Sequence, residues 1–276
     1  MPYKLHVYLP KQKLLFCPIA KNGTTSWKHW MATLAVGQYT GDTHAFVKAN
    51  LQIRATNPTV AQQALSNTDI FRFSIVRNPW NRIVSAFGNK VVHPDTYGTL
   101  QNALKLLTPR SVWKRATTMQ EMEESIAKFT FRQFVHAVTS RPGYTHDAHW
   151  RPQYLYLGDV NLDFVGYFEN MQNAVLEISR RTGLKVDIQC LNANAYTKEI
   201  RTTDSDCYCD VPIGEIRQLS RIPKPHEFYS EDLIECVGDY YHQDVQRFGY
   251  EYDKAPARAF AALALAFLAQ NPGPAR

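Results

Sequence analysis

Two short stretches of this chain carry residue types at a spacing that could do chemistry on an anion. The first is Pro18-Ile19-Ala20-Lys21-Asn22-Gly23-Thr24-Thr25-Ser26. It follows an apolar run and opens a helical pattern. A loop entering a helix N-terminus offers free backbone N–H groups and the positive end of the helix dipole. Gly23 lets the backbone approach an anion closely, and Lys21 supplies a mobile positive charge. Asn22, Thr24, Thr25 and Ser26 add polar donors. Taken alone, the segment reads equally well as an ordinary glycine turn with a Ser or Thr cap. An ATP-binding GxxxxGK-Ser/Thr loop needs its lysine after the second glycine, beside the hydroxyl that holds magnesium. Lys21 comes before Gly23, which disfavours a P-loop nucleotide kinase.

The second stretch is Ile75-Val76-Arg77-Asn78-Pro79-Trp80-Asn81-Arg82-Ile83-Val84-Ser85-Ala86-Phe87. Arg77 stands at the carboxyl end of a predicted strand, where ligands bind in open α/β sheets. Ser85 lies within the following helix. An arginine fork with a serine hydroxyl makes a clamp for a terminal phosphate. An isolated surface arginine paired with a carboxylate is the plainer alternative.

The elements that position these groups follow from periodicity. Residues 13–18 (KLLFCP) read as a buried strand stopped by Pro18. From Ser26, Trp27, Trp30, Met31 and Leu34 fall on one helical face, and Gly37 follows as a stop. FRFSIVR from Phe71 is a second strand. Pro79 opens a second helix whose inward stripe is Ile83, Val84 and Phe87. Two strand–loop–helix units predict an α/β fold, a parallel sheet flanked by helices. Further on, DFVGYF (163–168) reads as a strand, Thr130 caps a helix over 131–139, and Glu169 to Thr182 is helical before Gly183. One helix runs from a Ser230 cap to Phe248, and Gly249 ends it. Residues 97–128 and 190–226 look least regular, where substrate loops are expected. The domain is predicted over 1–254, with an Ala-rich helix or tail over 255–276.

Composition sets the outer limits. The chain has 276 residues, 45% of them hydrophobic and 12% aromatic, enough for a substantial core and against general disorder. The net charge of +6 favours anionic partners such as nucleotides or acidic glycans. The basic residues are scattered rather than gathered, which argues against nucleic acid. Five cysteines are too few and too odd for a disulfide framework. Cys207 and Cys209 read as two reduced loop thiols, or as disulfide-bonded to one of the other cysteines in an oxidising compartment; a zinc site is disfavoured because no CxxC accompanies them. The apolar run Ala259 to Ala269 falls short of the ~20 residues a membrane-spanning helix needs. No signal-peptide pattern opens the chain, so it reads as soluble and unexported.

Together, KxGTTS and RNPxxRxVSAF resemble the 5′-phosphosulfate and 3′-phosphate loops of sulfotransferases that use 3′-phosphoadenosine 5′-phosphosulfate (PAPS). The wording is similar to carbohydrate sulfotransferase family 2, the group with the chondroitin and dermatan 4-O-sulfotransferases. HxxHWRPQ at 146–153, DFVGYFENM at 163–171 and FYSEDLIECVGDYYHQDVQRFGY at 228–250 extend the likeness over residues ~13 to 252. The resemblance implies a P-loop-like sulfotransferase fold and metal-independent, in-line transfer of a sulfuryl group to a carbohydrate hydroxyl. Lys21 would contact the phosphosulfate and neutralise charge on the bridging oxygen. Residues 22–26 would cradle that phosphate, and Arg77 and Ser85 would hold the 3′-phosphate. Asn78 departs from the acid that many members carry. The cysteines near the HW block of the animal 4-O enzymes are missing, which puts their acceptor preference in doubt here.

A hydroxyl nucleophile calls for a base near neutrality, and histidine is the natural type. His44, in THAFVKANL, resembles the family's His-bearing segment between the two loops, and His149 beside Trp150 is its rival; an acidic residue or another histidine stays open. His29 reads as structural. Lys90, Lys105, Arg110, Lys114 and Arg115, with exposed Trp80 or Trp113, could meet an acidic polysaccharide, the plain alternative being a solvated face over core tryptophans. The acceptor is expected to be a glycan, polysaccharide or glycolipid, with peripheral membrane contact possible in principle. A bacterial cytoplasmic enzyme is the leading expectation for location, a trimmed Golgi-luminal domain the second. A non-catalytic glycan- or nucleotide-binding relative is the rival from another class.

Overall fold

The structure is a computed structural model that describes residues 5–53, 58–94, 96–158, 160–188, 207–219 and 223–252. The predicted Ala-rich tail over 255–276 and much of the expected loop over 190–226 lie outside these residues. A four-stranded sheet in the order β1 (Val7–Leu9), β2 (Leu14–Cys17), β3 (Phe71–Val76) and β4 (Phe164–Tyr167) forms the centre. β2, β3 and β4 are parallel, pairing Phe16 with Phe73 and Phe73 with Phe164. β1 is antiparallel to β2 across a tight turn in which Lys13 takes a positive φ of 51°. The expected all-parallel sheet is therefore mixed, because the first strand is too short and too polar in its flanks to show a period.

Helices fill the crossovers. α1 (Thr24–Val36), α2 (Thr43–Asn50) and α3 (Pro58–Ser66) join β2 to β3. Between β3 and β4 come α4 (Pro79–Phe87), a π-helical turn over Gly88–Val92, α5 (Tyr97–Leu107), α6 (Arg110–Trp113), α7 (Met119–Ile126), α8 (Phe131–Thr139) and α9 (Tyr154–Leu157). α10 (Met171–Thr182), α11 (Ile213–Ile216), α12 (Glu231–Tyr240) and α13 (His242–Phe248) follow β4.

Strand alternation divides the core. Leu14, Phe16, Phe73 and Ile75 face Trp27, Trp30 and Met31 of α1 and Ala174 and Ile178 of α10. Leu15, Cys17 and Val76 face the larger helical layer built on Ile83, Phe87, Phe131, Phe134, Phe228 and Leu233. Successive residues of a strand point to opposite faces, so two apolar layers need the continuous apolar runs seen here. Phe16 stacks on Phe73 with ring centroids 4.9 Å apart, and Trp27 meets Phe73 edge-on at 5.3 Å. Each such fully buried side chain contributes about 1.5–3 kcal/mol.

Several expected elements change on inspection. Residues 97–128 are largely helical rather than irregular. Thr96 and Thr118 accept from the first-turn N–H groups of α5 and α7, and Leu100, Leu104, Met122 and Ile126 bury the facing stripes. The helix expected over 231–248 breaks at Tyr241, a fully buried residue whose hydroxyl donates to Trp150 O at 2.6 Å. Ser230 precedes α12 without capping it, and its Oγ instead accepts from Arg132 Nη2 at 3.1 Å. Trp80 is not exposed: it is buried and donates from Nε1 to Ile234 O at 2.9 Å. Lys90 is buried as well, on the π-helical turn, whereas Lys105 is exposed with its ammonium 5.3 Å from the centre of the half-buried Trp113 ring. Arg110, Lys114 and Arg115 are exposed.

Candidate functional site

The carboxyl ends of β2 and β3 lie side by side, and the two polar stretches leave the sheet there. After Cys17, the chain turns through Ile19, whose carbonyl accepts from Asn22 N at 3.3 Å and from Thr24 Oγ1 at 2.5 Å. The Thr24 hydroxyl is thereby committed to closing the loop. Lys21 and Gly23 both take left-handed backbone, with φ of 73° and 71°. Left-handed φ favours glycine, and at Gly23 a β-carbon would also stand 3.3 Å from Met171 Cε and 3.4 Å from the Phe168 ring. Gly23 precedes α1 without any side-chain cap, whereas Asp42 and Asn78 cap α2 and α4 with their carboxylate and amide oxygens. The first-turn N–H groups of α1 thus have no side-chain acceptor from the cap position.

Asn22 is buried beneath this loop. Its Nδ2 donates to Ile75 O and to Gln153 Oε1, both at 2.8 Å, and its Oδ1 is buried without a partner. Arg77, half-buried one residue past β3, donates from Nη1 to Lys21 O at 3.0 Å. Its guanidinium carbon lies 4.4 Å from the centre of the Phe168 ring, and its Nε is buried and unpartnered. Burial holds its pKa down to about 10, against the opposing pull of Glu169. The arginine therefore remains a cation at neutral pH, held under the Lys21 loop.

Asn78 opens α4. Its backbone N–H donates to Glu169 Oε1 at 2.8 Å, and Glu169 Oε2 accepts from the Tyr250 hydroxyl at 3.2 Å. Along α4, Asn81 and Ser85 are the two half-buried residues, one helical turn apart on one face. No hydrogen bond joins Ser85 to Arg77 among the described residues. Arg82, fully buried, donates from Nε to Ala20 O at 3.0 Å, from Nη1 to Arg151 O at 2.8 Å and from Nη2 to Ala148 O at 3.3 Å. One guanidinium thus ties the start of the glycine-bearing loop to the HW block.

Of the two candidate histidines, only His44 has a contact with the loop among the described residues. His44, exposed in the first turn of α2, lies with Nε2 3.2 Å from Thr25 Oγ1. His29 Nδ1 meets Thr43 Oγ1 at 3.2 Å, the structural role expected of it. His149 Nδ1 lies 2.5 Å from Asp147 Oδ1, and Asp147 also accepts from His149 N at 2.9 Å and Asn102 Nδ2 at 2.8 Å. Burial works against the Asp147 carboxylate, but these hydrogen bonds prevail and hold its pKa below the usual range. His146 is a buried core residue whose Nε2 meets Val138 O at 2.9 Å. The structure brings Lys21, Asn22, Gly23, Thr25, Arg77 and His44, all named in the sequence analysis, into one neighbourhood. Sequence reasoning missed Gln153, Glu169 and Arg82 as parts that brace this region and Asp147 as the partner of His149, although the HxxHWRPQ, VGYFEN and RNPxxRxVSAF blocks contain all four.

Cys209 N donates to Cys207 Sγ at 3.3 Å, and Cys209 Sγ accepts from Arg132 Nη2 at 3.4 Å. Among the described residues no three His, Cys, Asp or Glu side chains gather closely enough to hold a metal ion, and no helix is long and apolar enough to cross a membrane.

Comparison with known proteins identifies the family. The profile described as "Sulfotransferase family" matches residues 6–251. Human carbohydrate sulfotransferase 9 is 22% identical over 249 residues, covering 87% of this chain and 52% of that protein. Carbohydrate sulfotransferase 11 of Danio rerio is 26% identical over 209 residues, covering 70% and 56%, and that of Mus musculus is 28% identical over 217 residues with the same coverage. The chain spans about half the length of the curated relatives it matches. No solved structure gives a significant match.

Proposed function

We propose that this chain, which belongs to the sulfotransferase family, transfers a sulfuryl group from PAPS to a hydroxyl of a carbohydrate. The observation that carries the reading is the union of the two polar stretches: Arg77 donates to the Lys21 carbonyl, so the two loops form one cationic cradle. A P-loop-like turn of this kind, with left-handed Lys21 and Gly23 ahead of an uncapped helix, suits a 5′-phosphate. Arg77 Nε, a buried donor without a protein partner, suits the oxygen of an anionic ligand. Ser85 and Asn81, facing the same way on α4, are assigned to the 3′-phosphate end. Asn22 holds the cradle's floor, Thr25 and Ser26 face the donor phosphate, and Thr24 braces the loop rather than donating to the ligand.

In the proposed step, the acceptor hydroxyl oxygen attacks sulfur as the bond from sulfur to the bridging oxygen breaks. The leaving 3′,5′-adenosine bisphosphate takes the electron pair, and Lys21 and the loop N–H groups meet the charge that gathers there. Fixed donors aimed at such charge dominate catalysis of this type, each contributing on the order of 10²–10³ in rate. No metal enters the step.

His44 is assigned as the base that takes the hydroxyl proton, because its Nε2 already touches Thr25 of the cradle. With Nδ1 protonated, Nε2 accepts the Thr25 hydroxyl and is the basic nitrogen. A second reading rests on His149, whose Nδ1 is held by Asp147 so that Nε2 is left as the base, the arrangement of a carboxylate-oriented imidazole. The names of the relatives support a carbohydrate acceptor, and transfer of labelled sulfate from PAPS to a panel of glycans tests it. Transfer to a glycan that is lost in Lys21→Ala supports the proposal. Donor binding without transfer to any glycan favours a non-catalytic relative.

A further inference from the structure

Gln153 is fully buried, yet its amide makes three hydrogen bonds and its backbone two more. Oε1 accepts from Asn22 Nδ2 at 2.8 Å and from Arg77 N at 3.0 Å. Nε2 donates to Arg77 O at 2.8 Å. The amide therefore binds both backbone groups of Arg77, just beyond the last ladder residue of β3, Val76. One side chain does there what a neighbouring strand does inside a sheet: it fixes the peptide planes on either side of a residue. Asn22 completes the arrangement by donating to Ile75 O at 2.8 Å. The three residues come from the β2 loop, the β3 terminus and the HW block, and the carboxamide offers both a donor and a two-lone-pair acceptor at the spacing that joins them.

The support behind Gln153 is equally specific. Its backbone N–H donates to Asp244 Oδ2 at 2.7 Å, and Tyr154 N donates to Asp244 Oδ1 at 2.8 Å. Asp244 is itself fully buried, on α13. The break at Tyr241 turns α13 so that this carboxylate meets the start of α9. A chain of buried hydrogen bonds thus runs from α13 through Gln153 to the two residues that flank the cradle, Asn22 and Arg77.

We infer that Gln153 is a positioning residue that sets the distance between the two halves of the donor site, so that one ligand engages Lys21 and Arg77–Ser85 at once. The inference rests on the donor-site reading above. Its consequence is selective. A ligand carrying both phosphates depends on the spacing of the halves, whereas a ligand carrying one phosphate needs only one half intact. Chelation by two linked contacts is lost when their geometry no longer matches.

Calorimetric titration of 3′,5′-adenosine bisphosphate, adenosine 5′-monophosphate and adenosine 3′-monophosphate into wild type and Gln153→Met tests this. Methionine keeps the volume and removes both hydrogen-bonding functions. The expected result is a loss of about tenfold to hundredfold for the bisphosphate, with each monophosphate changed less than about twofold. Equal losses for all three ligands, or no loss for any, would overturn the inference, since the first marks general damage and the second irrelevance. Asp244→Asn, which weakens the anchoring of the Gln153 backbone without touching either phosphate loop, gives a second route should Gln153→Met fail to fold, and the same selective loss is expected. A wild type that binds the bisphosphate no more tightly than the monophosphates defeats the donor-site reading itself, and the inference with it.

Discussion

Arg77 donates from Nη1 to the main-chain carbonyl of Lys21 across 3.0 Å, so the residue assigned to one phosphate holds the backbone of the residue assigned to the other. The same guanidinium covers the Phe168 ring. A lysine reproduces neither the fork nor the stacking. Arg77→Lys is therefore expected to lose affinity for the bisphosphate nearly as fully as Arg77→Ala, by at least about tenfold. Equilibrium titration of the three proteins checks this, and full rescue by lysine would show that charge alone matters.

Lys21 separates charge from backbone conformation. Its φ of 73° is strained for a side-chain-bearing residue. Lys21→Gly should therefore melt at or slightly above the wild-type temperature, and Lys21→Ala at or near it. Both should lose about 10²–10³ in kcat with PAPS. Thermal unfolding alongside steady-state rates makes the comparison, and an active Lys21→Gly removes the lysine from the chemistry.

Gly23→Ala combines a positive φ with contacts to Met171 and Phe168. A left-handed alanine costs about 1–2 kcal/mol. The variant should unfold several degrees earlier and bind bisphosphate weakly, because relief of the clash moves the loop. Differential scanning calorimetry measures the first effect, and an unchanged melting temperature contradicts the assigned conformation.

The histidines make a pH prediction on stability. Burial lowers the pKa of His6 from 6.5 to about 4, only partly offset by its contact with Tyr156 O. Between those values the unfolded chain binds the proton and the folded chain does not, so stability falls as pH drops through the window and levels off below about 4. The loss is of the order of a few kcal/mol. His146 and His93, also lowered by burial, add to it in the same direction. Replacing His6 by Gln should flatten the acid limb of the melting-temperature profile; an unaltered slope assigns that limb to other groups.

The assignment of the base predicts kinetics. His44→Ala should lower kcat by about 10²–10⁴ and abolish the acidic limb of the pH–rate profile. Asp147→Asn should leave that limb in place if His44 is the base. The opposite pattern, with Asp147→Asn and His149→Ala both losing the limb, transfers the role to His149.

What was legible in the sequence was whatever a local pattern encodes. Trp27, Trp30 and Met31 announced α1, FRFSIV announced β3, and the order of Lys21 and Gly23 separated this loop from a magnesium-nucleotide loop. Longer-range dependence was not legible. Trp80 counts as an aromatic on an exposed helix start until Ile234 and Tyr229 are brought against it from beyond residue 220. The helix over 231–248 has an unbroken apolar period, and only the hydrogen bond from Tyr241 to Trp150 O shows why it bends. Gln153 carries no periodic or compositional signal; its role exists only once residues 22, 77 and 244 are near one another. The loops assigned to the donor phosphates were readable, and the residues that hold the loops were not.

Thermal unfolding with 3′,5′-adenosine bisphosphate in EDTA, beside ATP with magnesium, for wild type and Arg77→Ala, tests the central claim most directly. At about 100 times its dissociation constant the bisphosphate should add about 2.7 kcal/mol of stability to the wild type. Arg77→Ala should show no shift, and ATP with magnesium little. Stabilisation by ATP with magnesium and none by the bisphosphate would contradict the donor site and point to a nucleotide kinase.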